Sequence, residues 1–101
     1  MQITVEKNGE MAKLLLNGRF DFSSHREFRK ASDEALQAPG IKEVAVDFGN
    51  VDYLDSSALG MLLLLREKAT NMNLNISLLN CKGIAKQVLE VANFQRLFTI
   101  R

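Results

Sequence analysis

Residues 51–65 read VDYLDSSALGMLLLL. Two acids, Asp52 and Asp55, and two adjacent serines, Ser56 and Ser57, stand directly against a run of leucines. Asp is a strong helix N-cap type, because its carboxylate accepts from first-turn N–H groups that have no partner of their own. With Asp55 as the cap, Ser56 and Ser57 are the first helical residues. Leu54 and Leu59 then take the two positions of a hydrophobic staple. The helix is expected to carry through Leu59–Lys68. Its apolar residues go nearly all round, which predicts a helix buried in the core rather than lying on the surface. Most of Met61, Leu64 and Leu65 are therefore expected to pack inward. One cap is enough for a helix, so Asp55 explains the start and two successive serines exceed that need.

The same geometry has a chemical consequence. A helix N-terminus presents unpaired N–H groups and partial positive charge, so it tolerates a phosphate. A serine hydroxyl there sits at the end of the element rather than inside it. Phosphorylation adds about −1.5 to −2 charges. Asp52 and Asp55 are already negative, and Asp21 is a further acid expected nearby. A phosphate on Ser56 should suit the local fold, make the surface strongly anionic, and repel a partner docked over it.

Working outward, Glu43–Phe48 (EVAVDF) reads as a strand with Val44, Val46 and Phe48 on one face. Gly49–Asp52 reads as the turn that leads into the serines. Toward the N-terminus, Ile3–Glu6 and Lys13–Asn17 (KLLLN) flank the turn signal Asn8-Gly9 and form a hairpin, with Gly18–Phe22 a short exit. Ser24 has Glu27 three residues later, the spacing of a capping box. Phe28, Ala31, Ala35 and Leu36 follow at helical spacing until Pro39-Gly40. Beyond residue 70, Asn71 and Asn73 break the helix and Leu74, Ile76 and Leu78 alternate as a strand. Ile84, Ala85, Val88, Val91 and Ala92 mark a last amphipathic helix, and Leu97–Ile100 a short terminal strand. The order β-β-α-β-α-β-α, with a final β, predicts a single α/β domain over residues 1–101. Its sheet is mixed and mostly parallel, four- to five-stranded, with helices packed against it and an antiparallel first hairpin.

Bulk composition narrows the functional classes. Hydrophobic residues make up 47% and charged residues 25% of 101 residues, the balance of an ordinary globular domain. Thirteen Lys and Arg against twelve Asp and Glu leave a net charge of +1, with no basic excess for nucleic acid or an anionic membrane. The longest apolar run, Leu59–Leu65, is far short of the ~20 residues that span a bilayer. The opening MQITVEKNGE lacks a signal-peptide core, and the lone Cys81 cannot form an internal disulfide, so a cytoplasmic protein is expected.

Catalytic patterns are scarce. A Ser-His-Asp triad would have to use His25, the only histidine, and no nucleophile elbow G-x-S-x-G is present. Neither nucleotide loop, GxGxxG nor GxxxxGK[ST], occurs. Cys81 has no second Cys or His at metal spacing and reads as a structural thiol. Asp21, Asp47, Asp52 and Asp55 are candidates to gather at one end of the sheet. Four carboxylates suit Mg²⁺, but turn-forming and capping roles account for them more simply. No enzyme activity, metal or cofactor is expected.

YLDSSALGMLLLL resembles the signature of STAS domains, in particular the bacterial anti-sigma factor antagonists (anti-anti-sigma factors), whose usual form is close to D-S-S-G-L-G. Asp55, Ser56, Ser57, Leu59 and Gly60 match, and Ala58 stands where Gly is usual. LNGRFDF (Leu16–Phe22) resembles the family's L-x-G-x-[LF]-D segment, with Gly18 and Asp21 in place. The resemblance implies a non-enzymatic partner switch in signal transduction and transcription regulation. The unphosphorylated protein binds an anti-sigma factor that is also a serine kinase of the histidine-kinase-like ATPase fold. The kinase phosphorylates the serine after the Asp, here Ser56, and is released. A PP2C-like phosphatase reverses the step. Asp21, Ser23, Ser24, Asp55, Ser56, Ser57 and Gly60 are the residues expected at the partner surface, Ser23 and Ser24 by their place on the loop rather than by a motif match. Two alternatives remain: a STAS-like scaffold whose serines only cap, and a regulator of another output, such as secretion or biofilm.

Overall fold

A computed structural model describes all residues, Met1–Arg101. The chain opens with a hairpin, β1 (Gln2–Asn8) and β2 (Met11–Phe20), paired from Gln2↔Asn17 to Asn8↔Met11. Gly9 opens its two-residue loop at φ +63°, a conformation glycine takes without steric penalty. A 3-10 turn (Phe22–Ser24) leads into α1 (His25–Leu36). Then come β3 (Glu43–Leu54), α2 (Ser56–Asn71), β4 (Asn75–Leu79), α3 (Gly83–Val91), a 3-10 turn (Phe94–Arg96) and β5 (Thr99–Ile100). The sheet order is β1-β2-β3-β4-β5; the first pair is antiparallel and the others parallel. This is the expected α/β fold with a mixed, mostly parallel sheet.

From β2 onward every crossover steps the same way, and right-handed crossovers then place the helices on one face. The packing agrees. One cluster of 23 buried residues joins Leu14, Leu16 and Phe20 of β2 and Val44, Val46 and Phe48 of β3. Phe28 of α1, Leu62 and Leu65 of α2, and Leu89 of α3 complete it. Ala45 alternates to the other face of β3 and lies outside this cluster. On that face Ser77 donates to Glu43, at 2.5 Å, and Arg101 reaches the same carboxylate at 3.5 Å.

Three sequence expectations are corrected. Gly49–Asp52 is not a turn: β3 runs unbroken to Leu54, and β2 runs past Asn17 to Phe20. The two strands pair through Asn17↔Asn50, Gly18↔Val51 and Phe20↔Leu54, with register shifts between Leu15 and Asn17 and between Gly18 and Arg19. The Gly and Asn residues that suggest a turn serve a bulged, strongly twisted pair instead, with Gly18 at φ +110°. Second, α2 is not buried all round. Ala58, Met61, Leu62, Leu65 and Ala69 face inward, whereas Leu63 and Leu64 are 40% and 46% exposed. With helices on one face only, α2 has a sheet beneath it and water above, so Leu64 does not pack in the core. Third, the terminal strand is only Thr99–Ile100, because Leu97 closes the preceding 3-10 turn.

Candidate functional site

Strands β2 and β3 end side by side, since Phe20 pairs with Leu54 and the Asp55 N–H donates to the Phe20 carbonyl at 3.3 Å. The next residue on each strand is an aspartate in extended backbone, and each caps the helical segment after it. Asp55 accepts from the Ala58 N–H at 3.0 Å, the cap expected from the sequence. Asp21 accepts from the Ser23 N–H at 3.0 Å and the Ser23 hydroxyl at 2.5 Å. Phe20 anchors this end from below, 4.9 Å from the Phe28 ring and 6.3 Å from Phe48.

The two caps leave the serines of α2 without a structural task. Ser56 and Ser57 are exposed, and neither hydroxyl takes part in a hydrogen bond within the chain. Gly60 follows one turn later on the exposed side. Its backbone is ordinary helix, and an added Cβ would meet nothing within 4 Å, so the fold itself does not require glycine there.

Asp21 is the other ordered charge at this end. The Ser23 hydroxyl, aided by the Ser23 N–H and the Arg19 guanidinium at 3.7 Å, outweighs desolvation and holds its carboxyl below the ordinary value of 3.8. It is therefore ionised at neutral pH. Arg19 also lies 4.0 Å from the centre of the Tyr53 ring, its cross-strand neighbour. Phe22, next to Asp21, is 74% exposed. Arg19, Tyr53 and Phe22 were not among the expected site residues. The D-F and D-Y-L-D spacings mark Phe22 and Tyr53 as neighbours of the two caps, but only the β2–β3 register brings Arg19 to Tyr53.

Two expected placements change. Ser24 does not cap α1 through its side chain, and no capping box forms with Glu27. Its hydroxyl donates to the Arg19 carbonyl at 3.1 Å and accepts from the Asp21 N–H at 3.4 Å, and the residue is 1% exposed. Ser24 therefore braces the loop from inside and offers no contact surface. Asp47 does not join the other acids. It is buried eight residues before Asp55, accepting from the Gly49 N–H at 2.8 Å and from the Asn80 side-chain amide at 2.9 Å. Asp21 and Asp55 are thus the two acids that the β2–β3 pairing brings to the α2 start, and Asp52 is exposed on β3 three residues before Asp55. No cluster of three or more His, Cys, Asp or Glu is placed to hold a metal. No helix is long and apolar enough to cross a membrane.

A mixed, mostly parallel α/β sheet with helices on one face and a serine helix start at the carboxyl end of its central strand defines the class. The comparisons place the chain within it. The family model described as "Mlab, STAS domain" matches residues 3–99. A STAS-domain-containing protein of Pseudomonas aeruginosa is 44% identical over 93 residues, covering 92% of this chain and 90% of that protein. The chain belongs to the STAS-domain family. BtrV of Bordetella bronchiseptica, whose name marks it provisionally as an anti-sigma factor antagonist, is 26% identical over 100 residues, 99% of this chain and 85% of BtrV. Among solved structures, the anti-sigma factor antagonist SpoIIAA in its unphosphorylated form superposes with a TM-score of 0.75 at 19% identity, over 99% of this chain and 87% of that one. Its phosphorylated form, from Bacillus, gives 0.73 at 17% identity, over 99% and 91%. At these identities the likeness is one of fold.

Proposed function

We infer that this chain is a phosphorylation-controlled partner switch of the anti-sigma factor antagonist kind. Unphosphorylated, it docks the Ser56 end of α2 on an anti-sigma factor that is also a serine kinase of the histidine-kinase-like ATPase fold. The kinase transfers the γ-phosphoryl group of ATP to the Ser56 hydroxyl oxygen, with ADP leaving and the hydroxyl proton lost. The new charge separates the pair, and a PP2C-like phosphatase hydrolyses the phosphoserine. The observation that carries this reading is the division of labour at the helix start: Asp55 does the capping and leaves an exposed, unbonded hydroxyl on Ser56.

The surroundings support it. A phosphate on Ser56 lies at the positive end of the α2 dipole, so the fold accommodates it. It also joins Asp21 and Asp55, so a docked partner meets a more anionic surface. Losing about 2.8 kcal/mol of binding lowers affinity about 100-fold, and like-charge contact costs that much or more. Glycine in an exposed helix is about 1 kcal/mol worse than alanine, so an unforced Gly60 fits a surface that a partner approaches closely. Asp21, Ser23, Asp55, Ser57 and Gly60 border the contact, with exposed Phe22 as an apolar anchor; Ser24 supports the loop from within. The switch is the same whether the kinase controls a sigma factor or another output.

The test is incubation of the pure protein with the cognate kinase and ATP. The expected result is a gain of one phosphate by intact mass, lost in Ser56→Ala. Ser56→Ala stays bound to the kinase, and Ser56→Asp binds at least tenfold more weakly. No phosphate gain with kinases of this class, or equal binding of Ser56→Asp and the parent, overturns the reading.

A further inference from the structure

At the end of the sheet away from Ser56, the short β5 leaves part of the β4 edge unpaired. The ladder between the two strands begins at Ser77↔Thr99, so Asn75 and Ile76 have no strand beside them on that side. An open hollow with room for about 360 Å³ lies there, between the C-terminal half of α2 and the Phe94–Arg96 turn. Ile76 and Phe98, both nearly buried, contribute its apolar part. Arg66, Thr70, Asn75, Arg96 and Thr99 supply polar side chains, and no Asp or Glu lines it. The ion pairs of the chain use Arg19, Lys42, Lys68 and Arg101, so neither guanidinium of the hollow has a carboxylate partner. Arg66 is half-buried, and its Nε–H donates to the Leu97 carbonyl at 2.8 Å. That bond orients the guanidinium and leaves both Nη groups free. The hydroxyls of Thr70 and Thr99 and the side-chain amide of Asn75 take part in no hydrogen bond within the chain.

We propose that this hollow binds the phosphoryl dianion of a small molecule, either a phosphomonoester or free phosphate. A phosphoryl group carries close to two charges at neutral pH and matches two unpaired guanidiniums. The planar fork of each arginine fits a pair of phosphate oxygens, whereas a single carboxylate would satisfy only one of the two. The remaining hydroxyls and amide suit the hydroxylated body of a phosphomonoester. The room available is at the lower end of small-molecule sites, roughly 300–1,000 Å³. Two cations in one hollow, in a chain of net charge +1, make no basic stripe for a nucleic acid. A ligand held here ties α2 to the C-terminal segment, which the sheet itself grips by a two-residue strand. The site is electrically remote from the switch. Arg66 follows Ser56 by ten residues on one helix, about 15 Å at 1.5 Å per residue. That exceeds the Debye length of about 8 Å at physiological salt, so a phosphate on Ser56 neither fills nor repels it. The hollow therefore stands independently of the switch.

The test uses the full chain, ¹⁵N-labelled, titrated at fixed ionic strength with glucose 6-phosphate, inorganic phosphate, acetate and glucose. The expected result is saturable amide shifts at Arg66, Thr70, Asn75, Leu97 and Thr99 with both phosphates, with a dissociation constant of about 1 mM or tighter for at least one. Acetate should bind at least tenfold more weakly, and glucose should give no shift. Arg96→Gln removes an exposed charge and should weaken phosphate binding at least tenfold. Arg66→Lys keeps its charge, loses the fork, and should weaken binding as well. Arg26→Gln, on exposed α1, should change it less than twofold, and so should Ser56→Asp. Circular dichroism melts of the variants check that each remains folded. Tighter binding of glucose 6-phosphate than of inorganic phosphate assigns the site to a phosphomonoester, and equal binding assigns it to free phosphate. Absence of saturable shifts, acetate binding as tight as phosphate, shifts that map elsewhere, or full affinity in folded Arg96→Gln each overturn the proposal.

Discussion

Replacing Asp55 by alanine tests the division of labour at the start of α2. The carboxylate accepts the Ala58 N–H at 3.0 Å, and Ala58 is fully buried, so that donor has no water to turn to when the acceptor is gone. Loss of a cap costs about 0.5–2 kcal/mol, and an unsatisfied buried donor about 1–3 kcal/mol. These two figures describe overlapping losses, which puts Asp55→Ala at about 2 kcal/mol. At roughly 4–8 °C per kcal/mol for a domain of this size, the melting temperature falls by about 8–16 °C. Asp55→Asn keeps the acceptor and loses the charge at the helix dipole, about 0.3–1 kcal/mol. Ser56→Ala removes no hydrogen bond and should stay within about 0.5 kcal/mol of the parent. Far-UV circular dichroism melts, with urea curves at constant m, measure all three. A loss in Ser56→Ala as large as that in Asp55→Ala would refute the reasoning. The serine would then be a cap, and no hydroxyl would be spare.

Four further outcomes follow from the same structure. Leu62→Ala should cost about 2–5 kcal/mol because Leu62 is fully buried, whereas Leu64→Ala on the exposed side should cost less than about 1 kcal/mol, both read from urea unfolding. Gly60→Ala should stabilise the fold by up to about 1 kcal/mol while weakening kinase binding in a pull-down or calorimetric titration. Because the Asp21 carboxyl titrates lower in the folded chain than in the unfolded one, its contribution is full above about pH 5. It is lost as pH falls through 3.8 and below, so Asp21→Asn should flatten the melting temperature profile between pH 5 and 3. Burial first, and the Asp47 charge second, push the Cys81 thiol up to about 11, so its labelling by iodoacetamide at pH 8 should run about a hundredfold slower than that of an ordinary free cysteine.

Much of the fold is legible because its signals are local. Asn8-Gly9 marks the hairpin, Pro39-Gly40 ends the first helix, and alternation at Val44, Val46 and Phe48 marks the central strand. Asp55 reads correctly as a cap because capping depends on residues within one turn. Several misreadings are places where a partner outside the element decides. Gly49-Asn50 looks like a turn, yet β2 lies alongside and takes up the same residues in a bulged ladder. Ser24 looks like a cap with Glu27 in support, yet the Arg19 carbonyl, five residues back at the end of β2, claims its hydroxyl.

The sequence by itself determined the element order, the α/β class, and the placement of Ser56 directly after a capping aspartate. Those depend on period, turn chemistry and first-turn geometry, which act over a few residues. Only the tertiary structure decided which leucines of α2 are core, because a nearly all-apolar run has no periodicity to read and its exposed side is simply the side the other elements do not cover. The sheet register, likewise, brought Asp21 beside Asp55 and sent Asp47 elsewhere.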